Sequence, residues 1–425
     1  MNKVKVKKLK NSLPVILAPI TGTETVTAIM MFKTGSKYES RENNGLSHFL
    51  EHMFFKGTTK RPTALKLASE LDVLGGEYNA FTSKEYTAYY VKAGKEKLER
   101  AVELLSDMLK NSTFDTEEIS REKGVIIEEY NMYEDDPRAN IEDVFEELLY
   151  GDTPAGWSTL GTKENIRNFV RDDFMKYFQT QYGIKSAVLC LAGNIKDSEA
   201  LKISNKYFGD FNDNKFKNKV KVTEKQSLPA LKIKFKETDQ VHLALGVRAF
   251  PVGHKDEQAV KLLAIILGGS MSSRLFSEVR ERRGLAYYVR TQNESYTDSG
   301  YVSTWAGVPL EKVNEAVKVI IAEYKRIKEE LVSPAELKRT KEMLSGRLAI
   351  QLESSDDLAD WYVRQMTLRG EVVTPKKLLK EIMKVSAKDI QRVAKKIFVD
   401  DRLNLALIGK IKDDKSLKEI LKFGY

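Results

Sequence analysis

The chain has 425 residues, of which 42% are hydrophobic and 31% charged, and its formal net charge is +9. That length exceeds one ordinary core and implies two or three domains of a soluble globular protein. The single cysteine, Cys190, excludes an intrachain disulfide framework and suits a reducing, cytoplasmic setting, and no apolar run reaches the ~20 residues that span a bilayer.

The chain opens with MNKVKVKKLKNSLPVILAPITG. Its basic start and apolar continuation resemble a secretion signal. The apolar run is short, however, is interrupted by Pro14 and Pro19, and alternates like a strand, so a first β-strand is expected. TVTAIMMFKTGS then reads as a strand leading into a helix, LSHFLEHMFF, whose apolar residues run all round it as in a buried helix. On that helix His48 and His52 lie four residues apart on one face, and Glu51 falls about 60° behind His48. Burying two imidazoles and a carboxylate unpaired costs on the order of a few kcal/mol each or more. A divalent metal is the economical partner, and two imidazoles at this spacing suit Zn2+. Glu51, between them, is placed to reach a water rather than the ion and is the candidate general base.

A catalytic zinc site needs a third protein ligand. The remaining histidines, His242 and His254, lie in the second half of the chain, so a carboxylate is expected. The richest source is FDTEEISREKGVIIEEYNMYEDDP, residues 114 to 137, a helix capped by Asp115 or Thr116 and ended by Pro137. Ile119, Ile126 and Tyr133 recur every seven residues and define its buried direction. Glu122 and Glu129, also seven apart, lie about 40–60° from that direction, whereas Glu128 lies about 160–200° away and should face water. Glu129 is therefore the expected ligand, with Glu122 behind it to orient His52 or Glu129.

The chain also repeats itself. YTAYYVKAGKEKLERAVELLSDML, from Tyr86, and SGYVSTWAGVPLEKVNEAVKVIIAEY, from Ser299, each read as strand, Ala-Gly, turn, amphipathic helix. TVTAIMMFKTGS has its counterpart in VHLALGVRAFPVG, and the counterpart of the His helix, VKLLAIILGGSMSSRLF, lacks histidine and paired carboxylates. The fold class expected is α+β: two homologous domains, each an antiparallel-rich sheet packed with helices, spanning 1–210 and 231–425, with the polar, lysine-rich 211–230 as linker. Only the first would bind metal. Elsewhere the lysines are interleaved with glutamates, as in KEKLERAVELL, which is the pattern of solvated helix faces. Neither nucleic acid nor a membrane is expected as a partner.

H-x-x-E-H is the inverse of the H-E-x-x-H zinc-peptidase motif. Together with GLSHFLEHMFFKGT, LGGEYNAFTSKEYTAYYV, REKGVIIEEY and LGGSMSSRLFSEVRERRGLAYYV, it resembles the pitrilysin, insulysin and mitochondrial processing peptidase family over almost the whole chain. The resemblance implies a zinc endopeptidase in its short two-domain, dimeric branch, each chain forming half of a clamshell. His48, His52 and Glu129 would then hold one Zn2+, Glu51 would act as base, and Glu122 would match the second carboxylate of the ligand helix. EYNAFT would be a sheet edge to which the peptide adds as a strand, with Asn79, Ala80, Phe81 and Thr82 contacting it. Arg280 and Tyr287, seven apart, would reach the site from the second domain of another copy, Arg280 holding peptide backbone and Tyr287 donating to the oxyanion. The short LGGS turn, in place of a long glycine-rich loop, speaks against presequence-specific recognition. A homodimer is the simplest assembly, and a heterodimer with an inactive paralogue is the other. The alternative function is a non-catalytic peptide-binding or partner subunit of such a complex.

Overall fold

The computed structural model describes residues 3–412 and 415–424. Its strands are β1 (Lys5–Lys8), β2 (Pro14–Pro19), β3 (Thr25–Phe32), β4 (Glu77–Thr82), β5 (Thr87–Gly94), β6 (Ala187–Gly193), β7 (Ala230–Phe235), β8 (Val241–Arg248), β9 (Tyr288–Ser295), β10 (Gly300–Val308) and β11 (Leu403–Gly409). They form two mixed sheets, ordered β1-β2-β6-β3-β5-β4 and β7-β11-β8-β10-β9. Apart from the extra β1, the two orders correspond strand for strand. Each sheet has one parallel pair, β2 with β6 and β7 with β11, and is otherwise antiparallel. The duplication visible in the sequence is thus a duplication of topology. The first helices are α1 (Leu46–Met53), α2 (Ala64–Asp72) and, after β5 and a 3-10 turn, α3 (Leu98–Asn111); β10 is likewise followed by a 3-10 turn and the helix Val313–Glu329.

The first compact unit contains residues 1–130, 157–220 and 348–373. One face of its sheet, with Val26, Ala28, Met30, Tyr89 and Leu189, packs under helices that include α1 (Leu46–Met53) and α3. Because strand side chains alternate, Thr27 and its neighbours of the same parity face the other side. There the helix Ser355–Arg369 covers the sheet: Ser355 Oγ lies 2.8 Å from Thr27 Oγ1 and 3.1 Å from Thr25 Oγ1. The second unit contains 131–156, 221–347 and 374–425. In it α5 (Pro137–Tyr150) lies on β8 and β11, with Ile141, Phe145 and Leu149 packed against Ala244, Trp305 and Ala406.

Each sheet is therefore covered on one face by a helix from the other half of the sequence. The compact units depart in this way from the boundaries expected at 1–210 and 231–425: 131–156 and 348–373 change places. An amphipathic helix announces in its sequence that it needs a partner surface, but not which of two similar sheets provides it.

Two further local expectations change. The single N-terminal strand is an antiparallel pair, β1 and β2, closed by a turn in which the Leu9 amide reaches Leu13 O at 3.0 Å. Both prolines survive in β2 because they sit at its two ends, where a missing ladder donor is tolerated. The linker carries no helix or strand between 211 and 226, but it is not a free coil. Asn214 Nδ2 donates to Thr180 O, Gln181 Nε2 donates to Lys217 O, and Phe216 packs on Tyr38. Lys219 is 6% exposed and pairs with the buried Glu85 at 3.1 Å, which also binds Lys37 at 2.9 Å. A carboxylate buried in the β4–β5 turn needs cations, and one comes from the linker.

Candidate metal centre

Helix α1 is short and almost wholly buried: Leu46, Phe49, Leu50 and Met53 are 1% exposed or less. It starts at Gly45, whose φ of 101° lies in the left-handed region and whose missing side chain leaves room for Leu160 O, 2.7 Å from where a Cβ would stand. The carboxylate of Glu39 accepts the amides of Gly45 (2.9 Å) and Ser47 (2.6 Å), satisfying donors that a helix N-terminus leaves open. This anchors the turn that presents His48 and His52, whose ring centroids lie 4.8 Å apart.

The carboxylate of the cluster comes from α4 (Thr116–Asp135). Asp115 Oδ1 accepts the amides of Glu117 and Glu118, the cap expected, and Pro137 ends α4 and begins α5. Ile119 and Ile126 are buried as the seven-residue spacing predicts. Tyr133 is not: it is 42% exposed, and the division between the two units falls at Tyr130–Asn131, so the core that the first two isoleucines enter does not extend to it. The helix phase nevertheless holds where it matters. Glu122 is buried, Glu129 half-buried and Glu128 exposed.

His48 Nε2 and His52 Nε2 each lie 3.5 Å from the same oxygen, Glu129 Oε2. That separation is beyond the usual N–H···O range. It matches the spacing of ligands around a small tetrahedral ion: atoms about 2.0–2.2 Å from zinc stand roughly 3.3–3.5 Å from one another. One ligand atom from each of His48, His52 and Glu129 lies within 4.8 Å of the others, and this is the one such cluster found among the described residues. The donor set, two imidazoles and a carboxylate, is one that zinc takes.

The surroundings fit. Burial, helped by the neighbouring charge of His52, pushes the His48 imidazole down to about 3, which keeps the ring neutral and its lone pair available. His52 is also drawn down by burial, but the hydrogen bond and charge of Glu122, followed by the charges of Glu129 and Glu51, raise it on balance. Glu122 Oε1 lies 2.8 Å from His52 Nδ1, fixing that nitrogen as the protonated one and turning Nε2 toward Glu129. The Nδ1 of His48 is buried without a hydrogen-bond partner among the described residues.

Glu51 is half-buried on the same helix, and burial raises its carboxyl against the opposing hydrogen bond of Thr82 and charge of His52. Thr82 Oγ1 donates to Glu51 Oε2 at 2.6 Å. The hydroxyl at the end of β4 is therefore committed to the candidate base. Strand β4 itself is an edge of its sheet, entered through Gly75, at φ 62°, and Gly76, where a Cβ would collide with Lys92 O at 1.9 Å. Along it Asn79 Oδ1 accepts the Ala80 amide at 2.9 Å, and Ala80 is buried on the α1 side. Phe81 turns to the opposite face, where it meets Tyr86 and the Arg364 guanidinium, 5.0 Å from its ring. Beside β4 lies an apolar recess of about 460 Å³, walled by Phe55, Leu65, Leu71, Tyr78 and Asn79.

One fold unit thus gathers His48, Glu51, His52, Glu122, Glu129 and Thr82. Arg280 and Tyr287 belong to the second unit, where they adjoin one another. Arg280 sits in a π-helical turn, Phe276–Glu281, with its guanidinium 4.9 Å from the Phe276 ring and 5.8 Å from the Tyr287 ring, and Tyr287 is 73% exposed. Sequence reasoning passed over two members of the centre. Thr82, expected as a substrate contact, is a partner of Glu51, and Lys56 sets its ammonium 2.5 Å from Glu122 Oε2. Lys56 follows His52 by four residues, a spacing that was available as a signal.

Comparison with known proteins gives the family of the chain. Residues 15–163 match Insulinase (Peptidase family M16), and residues 168–344 match the Peptidase M16 inactive domain. The chain is 37% identical to the uncharacterized zinc protease YmxG of Bacillus subtilis, covering 94% of this chain and 97% of that one. It is 31% identical to the mitochondrial-processing peptidase subunit beta of Mus musculus, covering 92% and 81%. Its fold is that of a Helicobacter pylori protease crystal structure, with a TM-score of 0.91 at 24% identity over 96% of this chain and 99% of that one. No helix among the described residues is long and apolar enough to cross a membrane. With an insulinase-type half carrying the His–Glu cluster and an inactive-type half following it, the chain belongs to the M16 peptidase family, in its short two-domain branch.

Proposed function

We propose that this chain is a zinc-dependent endopeptidase that hydrolyses peptides or unfolded segments. The observation that carries the reading is the convergence of two imidazole nitrogens on one carboxylate oxygen at 3.5 Å, with a carboxylate base on the same helix. His48, His52 and Glu129 would hold one Zn2+ per chain. Bound there, the ion supplies Lewis acidity toward a water and a peptide carbonyl.

The chain's own residues do the rest. Glu51 takes a proton from the attacking water as its oxygen bonds to the scissile carbonyl carbon, then delivers that proton to the leaving amine as the C–N bond breaks. Thr82 occupies Oε2 and so leaves Oε1 for this work. The peptide lies as an added strand along β4, held by backbone hydrogen bonds that tolerate many side chains. Asn79 and Ala80 meet the peptide backbone. The recess beside the strand takes a bulky apolar side chain, since Phe55, three residues beyond His52, forms part of its wall. Phe81 stabilises the strand from behind. Arg280 and Tyr287 act from the second unit of a second copy, in a homodimer that closes a chamber around the substrate: Arg280 holds the peptide backbone and the exposed Tyr287 hydroxyl donates to the oxyanion.

The test is cleavage of a quenched peptide library by zinc-replete protein. Cleavage is expected, lost on chelation and restored by added zinc. A protein that binds zinc and cleaves nothing in a broad library would instead be the non-catalytic partner subunit of such a complex.

A further inference from the structure

We propose that Lys56 is a positioning residue of the metal centre, pinning the two helices that supply the ligands to one another through Glu122. The inference rests on the metal reading given above and concerns a side chain that touches neither the ligand atoms nor, in that reading, the substrate.

Three side chains run in line. Lys56 Nζ lies 2.5 Å from Glu122 Oε2, Glu122 Oε1 lies 2.8 Å from His52 Nδ1, and His52 Nε2 faces Glu129. Lys56 and His52 belong to α1 and the turn that follows it, and Glu122 and Glu129 to α4, two helical turns apart on one face. Glu122 is the bridge between the two ligand-bearing segments, and its two oxygens are shared out: one holds the imidazole, the other the ammonium. A carboxylate only 6% exposed is poorly placed to bind one neutral ring alone.

Lys56 is fixed at its other end too. Its amide donates to Met53 O at 3.2 Å, and the next residue, Gly57, accepts the Thr113 amide at 3.3 Å, three residues before α4 begins. Main chain and side chain therefore tie the turn after α1 both to the segment that leads into α4 and to Glu122 within it. The contact with Lys56 neutralises Glu122 and fixes where it points, but the ammonium itself repels a dication, so the loss expected on removing Lys56 is one of aim and not of charge. The expected consequence of losing Lys56 is a less well aimed His52 and a weaker hold on the ion, on the scale of other outer partners of metal ligands.

The experiment measures affinity, not turnover. Metal-free protein is titrated with zinc against a competing chromogenic chelator, for wild type, Lys56→Met and Lys56→Arg, with far-UV circular dichroism and unfolding midpoints recorded on the metal-free forms. Lys56→Met should bind zinc about 10- to 100-fold more weakly, while Lys56→Arg stays within a few-fold of wild type. Lys56→Gln, which keeps a hydrogen-bond donor, replaces Lys56→Met if the latter does not fold, and the same weakening is expected of it. A folded Lys56→Met or Lys56→Gln protein with wild-type zinc affinity overturns the role of Lys56 and leaves the metal reading standing. Wild-type protein that binds no zinc overturns both.

Discussion

Glu51→Gln is expected to lower kcat by about 10²- to 10⁴-fold and to leave zinc content unchanged. The substitution preserves shape, and a glutamine at this position still accepts the Thr82 hydroxyl through its carbonyl oxygen, so the β4 contact survives. What it removes is a group able to take a proton from water. His48, His52 and Glu129 keep their positions, because Glu51 makes no contact that holds them apart from charge. In the proposed reading the peptide is held along β4 by backbone hydrogen bonds and not by the Glu51 charge, so KM should move by no more than a few-fold. The measurement is steady-state cleavage of one quenched peptide with metal content determined on the same samples. A variant retaining more than a tenth of wild-type kcat would remove Glu51 from the mechanism.

Glu129→Gln is expected to lose zinc, with affinity falling by more than the roughly 10- to 100-fold that outer partners contribute, while Glu128→Gln keeps it. The two residues are adjacent in sequence and differ only in helix phase. Glu129 Oε2 stands between the two imidazoles, and Glu128 is exposed. An amide carbonyl at 129 is a poorer donor to a dication than a carboxylate and leaves the site one negative charge short. Equilibrium dialysis of both variants against buffered zinc decides the matter. Loss in Glu128→Gln with retention in Glu129→Gln would mean that the α4 face has been assigned the wrong way round.

The grouping of His48, His52 and Glu129 was legible because burial and chemistry conflict so sharply in α1. Two histidines and a glutamate on an apolar helix have few physical solutions, and a seven-residue period in α4 then separates Glu129 from Glu128. The duplication was legible because strand, Ala-Gly and amphipathic helix recur as a block, and the two sheet orders follow it. What escaped has a common cause: it depends on contacts between distant segments. The helices 131–156 and 348–373 exchange sheets, a choice that no local period encodes. Lys219 is one of many lysines in a polar stretch, and only the buried Glu85 of the β4–β5 turn makes it different from the rest. Thr82 looks like one more residue of an edge strand until Glu51 is seen opposite it. Tyr133 continues the period of Ile119 and Ile126 past the end of the core that gave the period its meaning.

The claim on which the rest depends is that one ion is held by one turn of α1 and the middle of α4. Anomalous diffraction from crystals of zinc-replete protein, recorded on both sides of the zinc absorption edge, tests it most directly. A single peak is predicted, about 2.0–2.2 Å from His48 Nε2, His52 Nε2 and a Glu129 oxygen. An empty map there, or zinc held by other side chains, would contradict the account.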